Sequence, residues 1–398
     1  MVNIKGTIGV LTGGGDVPGL NPAIRAVTIR ALREGYKVIG IRKGWEGLIS
    51  IVREKSFDNS DFYINLDEET VNRMVHVGGT FLHTSRTRPS HVPKGSVPGH
   101  LKEKYTGDVN DLTSEVLENL SWLGIEYLIP IGGDDTLSYA DHLSKQGFHC
   151  VAIPKTMDND VPGTDYCIGF STAVSRTIQL VHDLRTAANS HQRLMVVEVF
   201  GRYAGFTALL PTMAGAANRC VIPEYPFNMD RLTELLVQDR RANMSGSAVV
   251  IVSEGAVAEK GDMVFEGEEK DMYGHRKLGG IGDYVSAELK RLSAKYNNGR
   301  TIHTLNQRLS YLVRSGAPDA LDSIVPMAYG NIALELIMNK KFGRLVCIRK
   351  GQYSHVPLDL VTSSKKIVDV DSYYDTERYR PLYSGFEGKS LIVMTNDL

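Results

Sequence analysis

Short runs of apolar, often β-branched residues recur along the chain, and most of them are followed by glycine or by a polar turn. Runs of this kind are typical of strands that are buried on both faces of a parallel sheet. The predicted strands cover residues 8–11, 38–41, 127–131, 151–153, 194–199 and 248–252.

Helical patterns lie between these strands. The first predicted helix has the clearest ends, with Asn21 as N-cap, Pro22 at the first helical position and Gly35 closing the helix after Glu34. Further helices are predicted over residues 137–146, 172–188, 230–241, 283–295 and 321–338. Alternating strands and helices predict an α/β fold with mainly parallel sheets, in which ligands bind at the carboxyl ends of the strands.

Two segments depart from this alternation. Residues 86–110 are rich in proline, glycine and lysine and lack an apolar period, which predicts a long surface excursion within the first lobe. Residues 259–277 carry many charges of both signs and predict a mobile loop.

Composition narrows the class of protein. The 398 residues are enough for two lobes that each have a core. Because 45 Lys and Arg nearly balance 46 Asp and Glu, the overall charge gives no support to binding of nucleic acid or of an anionic membrane. The four cysteines form no CxxC pair, and no apolar run approaches the ~18 residues of a membrane span. These features predict a soluble cytoplasmic protein with reduced cysteines.

Glycine-rich motifs follow two of the predicted strands. TGGGD spans residues 12–16, and GGDDT spans residues 132–136. Glycine allows close approach of the backbone to a ligand, and a helix N-terminus offers free N–H groups to an anion. Neither GxGxxG nor GxxxxGK[ST] occurs at these places, so the motifs indicate phosphate without indicating a dinucleotide. For TGGGD, a tight turn between strand and helix is an equally simple interpretation.

A third polar motif, PKTMDND, spans residues 154–160 and combines a cation, a hydroxyl and two carboxylates. A carboxylate near a substrate hydroxyl can accept its proton as the oxygen attacks phosphorus. Asp134 of GGDDT is a candidate ligand for Mg²⁺, which prefers one or two carboxylates together with phosphate oxygens. An Asx-rich turn is the structural alternative for Asp158 to Asp160.

Arginines beside strand ends and glycines complete the candidate site, because the guanidinium group matches phosphate with two hydrogen bonds. Taken singly, each arginine is also well explained as a solvated surface charge. The candidates are Arg86, Arg193, Arg202 and Arg314. Glu254, at the end of another predicted strand, is a candidate acceptor for sugar hydroxyls.

In their order along the chain, these motifs resemble those of the phosphofructokinase family. The matched motifs are GGDVPGLN, GGTFLHTSR, IGGDDT, PKTMDND, SHQR, VEVFGR, VSEG and YLVR, over about residues 7–330. The resemblance implies two Rossmann-like three-layer lobes with the active site in the cleft between them. It assigns residues 1–145 and about 256–305 to a phosphoryl-donor lobe, about 146–255 and 306–365 to a fructose 6-phosphate lobe, and 366–398 to a segment that packs back on both.

The resemblance also implies catalytic roles. Asp134 would bind Mg²⁺, and Asp158 would be the general base for the 1-hydroxyl of fructose 6-phosphate. Arg202 would support the transferring phosphate. The implied donor-binding residues are Gly14, Gly15, Arg86 and Gly133.

The implied sugar-phosphate site draws on several motifs. Its residues are Thr156, Met157, Asp158, Asp160, Arg193, Phe200, Gly201, Arg202, Glu254, Tyr311 and Arg314. Arg314 would meet the 6-phosphate, and Arg193 would reach that phosphate across a subunit interface, which implies a homodimer or homotetramer. Phe200 stands where the family usually has methionine, and Tyr311 where it often has histidine.

Asp135 decides the prediction of the donor. ATP-using members of the family typically have glycine after the GGD aspartate, whereas members that use inorganic pyrophosphate resemble this chain, with GGDD and PKT. A carboxylate here would take the position of the nucleotide α-phosphate, and two like charges ~4 Å apart repel by about 4 kcal/mol at an effective dielectric constant near 20. Lys155 would compensate for charge on the departing phosphate.

The sequence therefore predicts a non-allosteric, pyrophosphate-using member of the family that acts reversibly with Mg²⁺. Three alternatives stay open: an ATP-using enzyme, an enzyme with a broader acceptor such as sedoheptulose 7-phosphate, and a non-catalytic regulatory subunit. The last is disfavoured because Asp134, Asp158 and Asp160 are all present.

Overall fold

The computed structural model describes residues 4–259, 261–270, 274 and 276–389. Its strands are β1 (Thr7–Thr12), β2 (Lys37–Ile41), β3 (Tyr63–Asn65), β4 (Val92–Pro93), β5 (Val109–Asn110), β6 (Tyr127–Gly132), β7 (His149–Pro154), β8 (Leu194–Val199), β9 (Arg219–Val221), β10 (Ala248–Ser253), β11 (Phe265–Lys270), β12 (Arg276–Leu278), β13 (Thr304–Arg308), β14 (Arg344–Arg349), β15 (Gln352–Pro357), β16 (Tyr374–Asp375) and β17 (Arg380–Pro381).

The helices are α1 (Leu20–Arg33), α2 (Gly44–Ser50), α3 (Glu68–Met74), α4 (Thr113–Trp122), α5 (Asp134–Lys145), α6 (Phe170–Ser190), α7 (Phe206–Met213), α8 (Met229–Ala242), α9 (Ile281–Tyr296), α10 (Leu321–Met338), α11 (Leu360–Ser363) and α12 (Val370–Tyr373). Short 3₁₀ helices lie at Pro89–His91, Lys94–Ser96, Gly99–Leu101 and Ser310–Val313.

Two sheets form the framework. The first has seven strands in the order β15-β14-β7-β6-β1-β2-β3, parallel except at its two edges. The second has four parallel strands in the order β13-β8-β10-β9. Each strand predicted from the apolar runs is present, and the α/β fold with mainly parallel sheets is confirmed.

The sheets divide the chain at other places than the predicted lobes do. β7 and the pair β14–β15 belong to the first sheet, although the prediction assigned their residues to the second lobe. Conversely, α9 packs on β13 and β8 of the second sheet, although the prediction assigned α9 to the first lobe. The reason is that strand pairing, which no local pattern reports, decides which lobe a segment joins.

Two predicted helix starts are wrong. α1 begins at Leu20 after Gly19, whose φ of 104° provides the turn, so Asn21 is not the N-cap. The Asn21 amide instead donates to the Val77 carbonyl at 2.8 Å and accepts from the Phe81 N–H at 3.0 Å. α5 begins at Asp134 and not at residue 137, which places both aspartates of GGDDT in the first helical turn.

The two irregular segments are more ordered than predicted. Within residues 86–110, Val92, Val97 and Leu101 are buried in the same core as Trp45, so the segment is anchored and is not simply a surface excursion. Their spacing is irregular, which is why no period marks them. Part of 259–277 forms the antiparallel hairpin β11–β12 in place of the predicted loop, whereas residues 260, 271–273 and 275 lie outside the described residues.

α10 is the one helix of the described part that is long and apolar enough to cross a membrane by length and composition alone. Half of it is buried, and it packs on α1, α6, β7 and β14. Near its start, the fully buried Asp322 accepts hydrogen bonds from the Tyr166 hydroxyl at 2.7 Å, the Gly169 N–H at 2.7 Å and the Thr172 hydroxyl at 2.6 Å. α10 is therefore a core helix that is tied to the start of α6.

We expect Asp322→Ala to lower the free energy of unfolding by about 3–5 kcal/mol, because the buried donors of Tyr166, Gly169 and Thr172 lose their acceptor. Denaturant unfolding followed by circular dichroism measures the change. Glu335→Ala on the exposed face of the same helix is the matched control. A loss no larger than that of the control would show that the carboxylate does not stabilise this junction.

Candidate active site

The carboxyl ends of the two sheets face a common cleft. On the side of the first sheet, β1, β6 and β7 lead into the motifs TGGGD, GGDDT and PKTMDND. On the other side, β8, β10 and β13 lead to Phe200–Arg202, Glu254 and the segment with Tyr311 and Arg314. The fold therefore brings together motifs that lie up to 300 residues apart in the chain.

The cleft has two compartments that share part of their walls. The acidic compartment has a volume of about 190 Å³ and is lined by Gly14, Gly15, Val17, Arg86, Gly133, Asp134, Asp135, Thr136, Lys155, Thr156, Met157, Asp158, Asp160, Phe200, Arg202, Tyr203, Glu254 and Arg314. The basic compartment has a volume of about 610 Å³ and is lined by Gly14, Gly15, Asp16, Thr84, Arg86, Glu198, Val199, Phe200, Arg202, Glu254, Arg276, Lys277, Leu278, Arg308, Ser310, Tyr311 and Arg314.

A glycine turn and a buried lysine form one wall of the acidic compartment. Gly14 has a φ of 80°, and its N–H donates to the Ser85 carbonyl at 2.9 Å. A Cβ at Gly14 would lie 3.3 Å from Lys155 Nζ, so a side chain there would crowd the ammonium. Lys155 Nζ donates to the Gly15 carbonyl at 2.5 Å. Burial, together with nearby Arg314 and Arg86, lowers the pKa of Lys155 from 10.5 to about 8, which leaves it charged at neutral pH.

The carboxyl groups of PKTMDND crowd together on the opposite side. Burial, with Asp160 and Glu254 nearby, raises the pKa of Asp158 well above its usual range, while the Arg202 N–H favours the charged form. Asp158 Oδ1 is buried and has no hydrogen-bond partner among the described residues. Burial and Asp134 raise the pKa of Asp160 to about 6, which a hydrogen bond from Thr156 partly offsets. Asp158 is thus a carboxyl group with raised basicity and an unused acceptor.

Glu254 and Arg202 join the two compartments. Burial raises the pKa of Glu254 to about 7, and the charge of Arg202 opposes this shift. The Arg202 guanidinium donates from Nη2 to the Arg276 carbonyl at 2.9 Å, which links the loop after β8 to the hairpin β11–β12. Glu254 can therefore accept hydrogen bonds in its charged form or donate one in its neutral form.

Arg314 connects the two sides of the cleft. Its Nη2 lies 2.9 Å from Asp16 Oδ1, and the guanidinium carbon is 4.4 Å from the centroid of the Tyr311 ring and 5.8 Å from that of Phe200. Arg314 Nε is buried and finds no hydrogen-bond partner in the described part of the chain. The guanidinium is therefore held in place with a donor left for an anion.

Every predicted site residue except Arg193 and Gly201 lines one or both compartments. Arg193 lies at the amino end of β8, away from the cleft that follows the carboxyl end of the same strand. Gly201 has a φ of 123°, and a Cβ there would lie 2.8 Å from the Ala204 carbonyl oxygen. Gly201 thus shapes the loop that presents its neighbours and does not itself face the cleft.

Part of the basic compartment was not predicted from the sequence. Glu198 is buried in β8 and lies 2.9 Å from Arg308 Nε, and it also accepts from the Gly282 N–H at 2.8 Å. Arg276 and Lys277 reach the compartment from β12. Their only sequence signal was the charge-rich segment, which was interpreted as a loop.

The acidic compartment suits a magnesium–phosphate complex. Among the residues that the structure describes, no group of three or more His, Cys, Asp or Glu is arranged to hold a metal ion by itself. Mg²⁺ often takes only one or two protein carboxylates and completes its shell with phosphate oxygens and water. Asp134, partly surrounded by Asp160 and the glycine turns, provides such a carboxylate.

The comparisons with known proteins agree on one family. The model of the family described as phosphofructokinase matches residues 7–337. The chain is 37% identical to the pyrophosphate--fructose 6-phosphate 1-phosphotransferase of Streptomyces coelicolor, over 92% of this chain and 97% of the relative. It is also 37% identical to ATP-dependent 6-phosphofructokinase 3 of the same organism, over 91% and 96% of the two chains.

Solved structures show the same fold. The structure of the pyrophosphate-dependent phosphofructokinase of Marinobacter aquaeolei matches with a TM-score of 0.72 at 20% identity, over 95% of this chain and 89% of that chain. Phosphofructokinase of Saccharomyces cerevisiae matches with a TM-score of 0.71 at 23% identity. The match covers 90% of this chain but only 45% of the longer yeast chain.

We expect Glu254→Gln to stabilise the ligand-free protein at pH 8. Burial raises the pKa of Glu254 from 4.5 to about 7, so its contribution to stability is present at low pH and is lost as the pH rises through about 7. Glutamine stays neutral at both pH values. The substitution should therefore raise the free energy of unfolding by about 1–3 kcal/mol at pH 8 and by much less at pH 5. Thermal melts at both pH values, with exposed Glu335→Gln as control, measure this. A Tm for Glu254→Gln below that of the wild type at pH 8 would contradict the raised pKa of Glu254.

Proposed function

Because the chain belongs to the phosphofructokinase family, we propose that it transfers a phosphoryl group from inorganic pyrophosphate to the 1-hydroxyl of fructose 6-phosphate. The products are fructose 1,6-bisphosphate and phosphate. The bond broken in pyrophosphate and the bond formed on the sugar are both phosphoryl–oxygen bonds, and no nucleotide is released. The resemblance to pyrophosphate-using members of the family implies that this reaction is reversible, so that it can serve glycolysis or gluconeogenesis.

Asp135 is the observation that carries the choice of donor. It lies in the first turn of α5 beside Asp134 and lines the same acidic compartment as Lys155. A pyrophosphate ends where a nucleotide continues into its α-phosphate, so a carboxylate at the end of the donor site disfavours the nucleotide by charge and by bulk. ATP is the second candidate donor, because relatives named for both donors reach the same identity to this chain.

Asp158 acts as the general base. Its raised basicity and its unused Oδ1 suit it to accept the proton of the 1-hydroxyl as that oxygen attacks the nearer phosphorus. The new O–P bond forms while the bridging P–O bond of pyrophosphate breaks, and phosphate leaves. The proton stays on Asp158, in a setting where burial already favours the neutral acid.

Cations stabilise the transferring phosphoryl group. Lys155 of PKTMDND is charged below about pH 8 and contacts the glycine turn through the Gly15 carbonyl, and Arg202 lines the same compartment from the second sheet. Both charges are fixed in place before substrate binds, which makes them effective against charge that develops in the transition state. Mg²⁺ bound at Asp134 would add neutralising charge to the pyrophosphate oxygens.

The basic compartment binds the acceptor. Arg314 with Tyr311 meets the 6-phosphate, and Glu254 with Met157 contacts the sugar. Arg193 precedes the amino end of β8 and lines neither compartment of its own chain, which fits a role in the neighbouring site of a homodimer or homotetramer. We assign the enzyme to the cytoplasm. Acceptors such as sedoheptulose 7-phosphate fit the same chemistry.

We expect Asp158→Ala to lower kcat by about 10³-fold or more while leaving the affinity for fructose 6-phosphate within a few-fold, since the base acts on the proton and contributes little to phosphate binding. Steady-state kinetics and calorimetric titration separate the two effects. Exposed Asp371→Ala is the control and should keep full activity. A kcat of the Asp158→Ala protein near that of the wild type would rule out this base.

Initial rates on fructose 6-phosphate with Mg²⁺, with pyrophosphate and ATP offered separately, test the donor. We expect turnover with pyrophosphate alone for the wild type. Asp135→Gly and Asp135→Asn should both lower the rate with pyrophosphate. Both should also raise the rate with ATP by about 10–10³-fold, because both remove the negative charge that repels the nucleotide. ATP use by the glycine variant alone would assign the exclusion to bulk. ATP use by the wild type would mean that Asp135 does not select the donor.

A further inference from the structure

A segment late in the chain passes behind the active site. Residues 364–370, here called the C-terminal strap, run between the PKTMDND motif of the first sheet and the loop after β8 of the second. Lys366 in the strap is 6% exposed, although it is a lysine, and Val368 is also buried. A buried ammonium is costly to desolvate, so its place beside the site calls for a compensating role.

The buried end of Lys366 contacts the segment that shapes the catalytic carboxylates. Its Nζ donates to the Asp165 carbonyl at 3.1 Å, and the same carbonyl accepts from Asn159 Nδ2 at 3.0 Å. Asn159 lies between the two aspartates, has a left-handed φ of 56°, and accepts from the Cys167 N–H at 2.9 Å. The side chain of Asn159 therefore fixes the turn, and Lys366 fixes the carbonyl to which that side chain is bonded.

The other end of the strap contacts the second sheet. Glu224 Oε1 accepts from the Val368 N–H at 2.8 Å and from the Gly205 N–H at 2.9 Å. Gly205 ends the short loop that carries Arg202. The Lys366 ammonium also lies 5.5 Å from the centroid of the Phe206 ring, at the start of α7. One segment thus links the loop of the catalytic carboxylates to the loop of the transition-state arginine.

The charge of Lys366 also acts on the site. Burial lowers the pKa of Lys366, while the nearby carboxylates of Asp165 and Asp160 favour its charged form. In return, the ammonium favours the ionised form of Asp160, against burial and against Asp134. A neutral side chain of the same length would fill the space and would leave the carboxylates without this positive charge behind them.

We propose that Lys366 is a positioning residue for the phosphoryl transfer, fixing the turn of Asp158 and Asp160 through Asp165 and Asn159 and placing a buried positive charge behind these carboxylates. The inference rests on the proposed function for the role of Asp158. It assigns the strap to the catalytic apparatus, although the strap contributes no residue that lines either compartment.

The test compares Lys366→Met, which keeps length and loses charge and hydrogen bond, with Lys366→Arg, which keeps both. We expect the methionine variant to lose about 10–100-fold in kcat with KM for fructose 6-phosphate within about twofold, since a small misplacement of the base affects the chemical step more than binding. The arginine variant should recover most of the rate. Exposed Lys365→Met is the matched control and should keep the wild-type rate.

Calorimetric titration with fructose 6-phosphate reports the fraction of folded sites, so that a loss of rate is read only from protein with full stoichiometry. If Lys366→Met does not fold, Lys366→Gln, which can still donate to the Asp165 carbonyl, replaces it, and we expect at least about a fivefold loss of kcat. The proposal is overturned by a wild-type kcat in the folded methionine or glutamine variant, or by an arginine variant as slow as methionine. All rates use whichever donor the wild type accepts, so a wrong choice of pyrophosphate leaves this test intact.

Discussion

Crowding of like charges in one partly dry cleft is the constraint on which the rest of this structure depends. Burial raises the pKa values of Asp158, Asp160 and Glu254, and neighbouring carboxylates add to each shift. Burial, together with Arg314 and Arg86, lowers the pKa of Lys155. Such an arrangement opposes folding, because the charged form of each group is more stable in water than in the cleft. It also supplies what phosphoryl transfer needs: a carboxylate of raised basicity and cations that are fixed before the substrate arrives.

The framework offsets this cost away from the site. Two largely parallel sheets, buried on both faces, supply the cohesive energy and aim their carboxyl ends at the cleft. Buried carboxylates with full sets of partners, such as Asp322 at the junction of α6 and α10, fix the elements relative to one another. The C-terminal strap fixes the loops of the active site in the same way. It contacts the segment of the catalytic carboxylates through Lys366 and the loop of Arg202 through Glu224. The residues that face the cleft are therefore held in place by contacts with the residues that lie behind them.

The start of α5 shows how one local detail changes the chemistry of a motif. With Asp134 and Asp135 in the first turn, their carboxylates lie at the positive end of the helix and beside the glycine turn. Under the proposed function, Asp134 would hold a cation on the phosphates, whereas Asp135 would limit how far a donor extends past them. The same helix end would then favour pyrophosphate and disfavour a nucleotide, and the difference between the two roles would follow from the positions of the two adjacent carboxylates.

The strands, the order of the motifs and most of the residues that line the acidic compartment could be predicted from the sequence, because buried parallel strands and phosphate-binding turns have strong local signatures. The sequence pattern placed the start of α5 three residues late and indicated Asn21 as a cap, since the competing partners Val77 and Phe81 are distant in the chain. Only the tertiary structure decided which sheet β7, β13 and β14 join, the arrival of Arg276 and Lys277 from β12, and the burial of Lys366 behind the carboxylates. These features depend on pairing and packing between segments far apart in the chain, where no periodicity records the partner.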